Sequence, residues 1–222
     1  MSDIGVKQAQ SKESALARAV VYRVLARCFA YPDKELLELF HSARLEEFLQ
    51  SWRYLGLGSS ENIAEAANWL AKWPSGEYAL FELEKDYTRL FITAFPRVIA
   101  PPYSSVYLDR ERLVWGGSTA EVVRLYEAAG LGMNQDFHDI PDHIAAELEF
   151  ASYLIQEQVK GEQGSAPGGQ AWSSIEQRLL VGHLFRWVPP FLGRVIGCSV
   201  VAFYREIAHL AREFVEWDAA RY

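Results

Sequence analysis

The sequence predicts an all-α protein, a single globular helical domain with one long Pro-rich loop at about residues 95–117. Three observations lead there. Apolar residues recur at helical spacing along nearly the whole chain, strand-like alternation is almost absent, and Pro and Gly gather between the periodic stretches. Half of the 222 residues are apolar, enough to bury a substantial core and to exclude disorder of the chain as a whole.

Residues 1–14 are polar and lack an apolar signal-peptide core, so they read as a disordered tail before a domain spanning 15–222. Leu16, Val20, Val24 and Cys28 recur every four residues beside Val21, Leu25 and Phe29, and Pro32 marks the end of that helix. Asp33 can cap a second helix carrying Leu36, Leu37, Phe40 and Phe48. A third runs from about Ser60 to Trp73, where Pro74-Ser75-Gly76 stops it. In the fourth, Leu80, Leu83, Tyr87, Leu90, Phe91 and Ala94 form one apolar stripe. The Pro-rich loop follows, and Pro101-Pro102 forces extended backbone in its middle. Ser118-Thr119-Ala120-Glu121 has the pattern of a capping box for a helix ending at Gly130 or Gly132. Pro141 suits the first turn of the next helix, with Asp139 near its N-cap and an end near Gln158. Residues 161–170 form a flexible connector that would permit exchange between two copies. Helices resume at Trp172, break at Pro189-Pro190 and finish with Val200–Trp217, which is apolar on two faces and therefore buried.

A net charge of −7 and a pI near 5.3 argue against nucleic acid and are compatible with a basic peptide partner. No apolar run reaches membrane-spanning length; Val195–Tyr204 is too short and contains Gly197. Cys28 and Cys198 both sit in apolar helical patterns and read as reduced buried thiols of a cytoplasmic protein.

The densest chemistry lies in Asp136-Phe137-His138-Asp139-Ile140-Pro141-Asp142-His143. From Arg124 to Lys160 no Lys or Arg intervenes, against seven acids, Asp139, Asp142 and Glu147 among them. One reading is a metal-dependent all-α hydrolase using His138, Asp139 and His143. Against it, His41 is the only earlier histidine, and HExxH, CxxC, GxSxG and Gly-rich phosphate loops are all missing. A second reading is local helix capping, which accounts for Asp139 and Asp142 but not for the missing basic residues. The third is an anionic surface for a cationic partner. The Pro-rich loop is equally open, an inert crossover or one wall of a peptide groove built from Tyr103 and Tyr107.

Taken in order, Asp86-Tyr87-Thr88-Arg89-Leu90-Phe91, Pro101-Pro102-Tyr103-Ser104-Ser105-Val106-Tyr107-Leu108-Asp109, Gly117-Ser118-Thr119, Pro141-Asp142-His143 and His183-Leu184-Phe185-Arg186-Trp187 resemble the TorD/DmsD/NarJ family of redox-enzyme maturation chaperones. The resemblance runs from about Tyr22 to Phe214. Two positions depart from the family pattern: Ile92-Thr93 replaces a Gly-Pro turn, and Tyr103 stands where Trp is common. The resemblance implies a cytoplasmic chaperone, not an enzyme and without a cofactor of its own. Its partners would be the twin-arginine leader and apo catalytic subunit of a DMSO-reductase-class molybdoenzyme, together with molybdenum-cofactor biosynthesis proteins. It would assist molybdopterin insertion and delay export until then. Implied client-binding residues are Asp142, His143, Leu90, Phe91, Pro102, Tyr103 and Tyr107. The charge pattern adds Asp139 and Glu147, since carboxylates in this window could take the leader's guanidinium groups.

Overall fold

Helix α1 (Ser2–Phe29) opens the chain, and α7 (Ile144–Lys160) lies along it. The computed structural model describes residues 2–58 (side chains from residue 11), 69–70, 72–132, 140–161 and 164–222. The expected third helix, 60–73, and the expected Asp139 cap lie mostly or wholly outside the described residues. Helix α1 is continuous from Ser2 to Phe29. Its first part is polar but contains few residues that oppose a helix, and it extends one already anchored by the buried Val21, Tyr22, Leu25 and Phe29.

Two short helices follow, α2 (Lys34–Leu39) and α3 (Ala43–Tyr54), where the sequence suggested one. Asp33 caps the first by accepting the Leu36 N–H at 3.0 Å, and Ser42 caps the second by accepting from Arg44. Next come α4 (Glu77–Tyr87), a π-helical turn (Thr88–Ile92) and, within the Pro-rich loop, the one-turn helix α5 (Ser104–Leu108). The loop is thus only partly extended.

Helix α6 (Gly117–Ala128) does not begin with a capping box. Instead Asp109 caps it from across the loop, accepting both the Ser118 N–H and its hydroxyl. Glycine is needed beside it, since a Cβ at Gly116 would lie 1.8 Å from the Asp109 carboxylate. Residues 164–170 make backbone hydrogen bonds within the segment and to α6. Ala166 and Gln170 hydrogen-bond across a turn, and the Gly168 N–H reaches the Ala128 carbonyl. Such an approach tolerates no Cβ at Gly168, which would stand 2.7 Å from that oxygen.

The remaining elements are α8 (Trp172–Leu179), a second π-helical turn (Leu180–Leu184), α9 (Phe185–Cys198) and α10 (Ala202–Ala219). Helix α9 passes through Pro189 and Pro190 without breaking. Two missing N–H groups free the carbonyls of Phe185 and Arg186, residues on the more accessible side of the helix, where water can serve them. Its other side buries Trp187, Val188, Phe191, Leu192 and Val195, which outweighs the local preference. Phe203, Tyr204, Ile207, Phe214 and Val215 of α10 are buried as expected. Cys28 is buried, its thiol pushed up to about 12 by desolvation, but Cys198 at the end of α9 is exposed. Among the described residues no helix is long and apolar enough to cross a membrane.

Candidate peptide-binding groove

The Pro-rich loop is fastened to the start of α7 by backbone. Ile144 N–H donates to the Pro102 carbonyl at 2.8 Å, and Ser104 N–H donates to the Asp142 carbonyl at 3.0 Å, making a short antiparallel bridge between Tyr103 and His143. The Asp142 side chain completes the junction. It accepts the Ser105 N–H at 2.8 Å and the Ser104 hydroxyl at 3.2 Å, capping α5 rather than its own helix. The cap of α7 is His143, whose Nδ1 accepts the Ala145 N–H at 3.1 Å. That leaves the ring proton for Nε2, which lies 3.4 Å from the Tyr87 hydroxyl.

Glu147 points the other way, into the core. Its two oxygens meet His183 Nε2 and Trp187 Nε1, each at 2.8 Å. Burial raises the Glu147 carboxyl above its ordinary value, with the His183 and Trp187 bonds opposing. Burial alone would lower His183, yet the adjacent Glu147 carboxylate leaves it raised, with Glu121 and Asp142 adding to the effect. The folded state therefore holds protons more tightly than the unfolded chain at both groups. Stability must fall as pH rises through the interval that begins at the ordinary values of 4.5 and 6.5 and extends above them. Denaturant titrations between about pH 6 and about pH 9 are expected to show a falling midpoint. His183→Gln removes one titrating partner and lets the Glu147 carboxyl rise further, so the pH profile should change shape; an identical profile in both proteins would contradict the pairing.

An expectation is corrected here. Asp142 and Glu147 are both 0 % exposed with their carboxylates turned inward, so neither offers an open oxygen to a guanidinium. Desolvating two acids is tolerable only where N–H and O–H donors replace water, and Ser104, Ser105, His183 and Trp187 provide them. Leu90 is core, at 0 % exposure. Tyr107 packs on Trp187 and Phe191 with Arg194 over its ring at 4.9 Å, away from the groove described next. His138 and Asp139 lie outside the described residues, and among those described no group of three His, Cys, Asp or Glu side chains could hold a metal.

What the junction builds is a groove of about 340 Å³. Tyr31 stands on one side after α1; Tyr87, Phe91 and Ile92 come from α4 and the π turn, Pro102 and Tyr103 from the loop. His143, Ala145, Ala146 and Glu149 of the α7 start complete it. The π turn re-aims the chain just before the Pro-rich loop, and the Ala100 N–H bonds back to the Leu90 carbonyl to hold it. Phe91, Pro102, Tyr103 and His143 are the sequence-derived candidates that the fold brings together here. Tyr31, Ile92 and Glu149 were missed, and Tyr87 was read only as core. The one available signal for Tyr31 was an aromatic wedged between helix end and Pro32.

The same arrangement of helices occurs in a crystal structure from Archaeoglobus fulgidus assigned as a redox enzyme maturation protein, with a TM-score of 0.56, 24% identity and coverage of 89% of this chain and 93% of that one. Residues 57–193 match the family model described as Nitrate reductase delta subunit, and the chain belongs to that family, the TorD/DmsD/NarJ group. Its relatives carry the names of chaperones. The chaperone protein TorD of Aliivibrio salmonicida is 27% identical over 90% of this chain and 92% of its own length. That of Vibrio cholerae is 29% identical over 90% of each. The Tat proofreading chaperone DmsD of Salmonella typhi is 28% identical over 68% of this chain and 74% of its own.

Proposed function

We propose that this protein is a cytoplasmic maturation chaperone, without catalytic activity, that captures the twin-arginine leader of a molybdoenzyme catalytic subunit. It would keep the apo subunit competent for molybdopterin insertion and delay export until insertion is complete. The observation that carries this reading is the open groove walled by Tyr31, Tyr87, Phe91 and Tyr103, with no Lys or Arg among the described residues that line it. Aromatic walls suit the apolar stretch of a leader, because rings contribute large contact area at little conformational cost. A site free of cations does not repel a peptide that carries two guanidinium groups. The names of the relatives support the same role.

Calorimetric titration with a synthetic peptide of two adjacent arginines followed by an apolar stretch tests it. Binding at micromolar or tighter affinity is expected. Tyr31→Ala and Ile92→Ser alter side chains that are 51 % and 53 % exposed, so folding should survive them. Each should weaken binding about tenfold, or about 1.4 kcal/mol. Failure of the unmodified protein to bind, or indifference to both substitutions, contradicts the proposal.

A further inference from the structure

We infer that Glu149, rather than the Asp142–His143 pair, reads the charge of the peptide, taking one guanidinium group at the mouth of the groove. The inference rests on the leader-binding reading and assigns the residue that sets its preference for arginine. Of the eleven described residues that line the groove, Glu149 is the only one with a carboxylate. The other ionisable groups facing it are the phenols of Tyr31, Tyr87 and Tyr103 and the imidazole of His143. His143 already accepts the Ala145 N–H and faces Tyr87, Glu147 spends both oxygens on inward donors, and Asp142 spends Oδ2 on Ser104 and Ser105 while its Oδ1 is buried out of the groove's reach. Among the described residues no hydrogen bond or ion pair engages the Glu149 carboxylate, and the residue is exposed.

Its place on α7 explains this. Ile144, Glu147, Leu148, Ala151 and Leu154 form the buried face of the helix, whereas Glu149 falls on the opposite side. One turn before it, Ala145 and Ala146 put only methyl groups on the groove floor, so nothing tall stands between the carboxylate and the aromatic walls. A planar guanidinium can lie against a tyrosine face while its N–H fork meets a carboxylate; an ammonium can satisfy the charge but not the fork. Such a site discriminates Arg from Lys, and because it is open to water its strength should depend on salt.

The test is calorimetry at low and high ionic strength with two leader peptides, one carrying the arginine pair and one carrying two lysines in its place. Wild type, Glu149→Gln and Glu149→Asp are compared. Wild type is expected to prefer the arginine peptide by roughly fivefold to tenfold at low salt, and the preference should shrink at high salt. Glu149→Gln should erase both the preference and the salt dependence while retaining the apolar part of binding, and Glu149→Asp should restore part of each. An unchanged arginine preference in Glu149→Gln overturns the assignment and leaves the groove in place. Absence of binding by wild type to either peptide overturns both.

Discussion

Replacing Asp142 with Ala is expected to lower the melting temperature by about 5–15 °C, the signature of a structural joint rather than of a ligand contact. The Asp142 carboxylate holds the Ser105 N–H and the Ser104 hydroxyl in a place water does not reach. Removing it strands both donors at the start of α5, at a cost of about 2–4 kcal/mol. The damage should not stay local. The same junction sets the bridge between Tyr103 and His143, so the Tyr103 wall loses its position and peptide affinity falls with stability. Asp142→Asn keeps an acceptor oxygen and should recover most of the melting temperature and most of the binding. If Asp142 instead met the leader's guanidinium directly, Asp142→Asn would lose affinity while melting like wild type. Thermal melts and calorimetry on the two variants separate these cases.

The contrast between Asp142 and Glu149 shows where a one-dimensional reading reaches its end. The charge imbalance between Arg124 and Lys160 is visible in the sequence, but the number of acids does not say which of them face water. A clue was present for Glu147. It stands three residues after Ile144 and four before Ala151, inside the apolar stripe, so helical periodicity alone places it toward the core. No comparable clue exists for Asp142, whose partners come from residues 104 and 105 through a loop whose path no local rule specifies. The helices anchored by strong stripes, Leu16–Phe29 and the last one, were legible because burial of a stripe is a nearest-neighbour property. Pro189-Pro190 misled for the opposite reason: the local cost of two prolines is easily read, while the burial of Trp187, Phe191 and Leu192 that offsets it is settled by the rest of the fold. The Ser118–Glu121 pattern failed similarly, because Asp109 reaches the helix start first. Phe91, Pro102, Tyr103 and His143 were legible as candidates through the family resemblance, whereas Tyr31 and Ile92 enter the groove only through tertiary placement.

Arg18→Ala is expected to cost about 3–5 kcal/mol. Arg18 of α1 is buried and donates to Glu176 of α8 and to Asp218 of α10, each at 2.9 Å, and its Nε lies 2.7 Å from the second Asp218 oxygen. Tyr22 donates to Asp218 at 2.7 Å, and Tyr222 donates to Glu176 at 2.9 Å. The acids raise the guanidinium pKa even against burial, which by itself would lower it. Without the arginine, among the described residues, Glu176 keeps phenol and amide partners but no counter-charge, and Asp218 keeps only the half-exposed Arg221 as one, at 3.5 Å. Packing is not the main loss, so Arg18→Met should be nearly as damaging as Arg18→Ala. Chemical denaturation of both variants measures it, and a loss below about 1 kcal/mol in either would show that the carboxylates find water or protonate cheaply. Since Arg18, Glu176 and Asp218 line no part of the groove, the folded fraction should still bind peptide.

The central claim is that the leader occupies the groove between Tyr31, the π turn and the start of α7. Methyl-labelled alanine and isoleucine, followed by NMR during titration with the twin-arginine peptide, test it most directly. The expected result is saturable shifts of the methyl groups of Ala30, Ile92, Ala145 and Ala146, with Ala208 and Ala211 in the core unmoved. Saturable binding that shifts other methyl groups and leaves those four in place would contradict the claim.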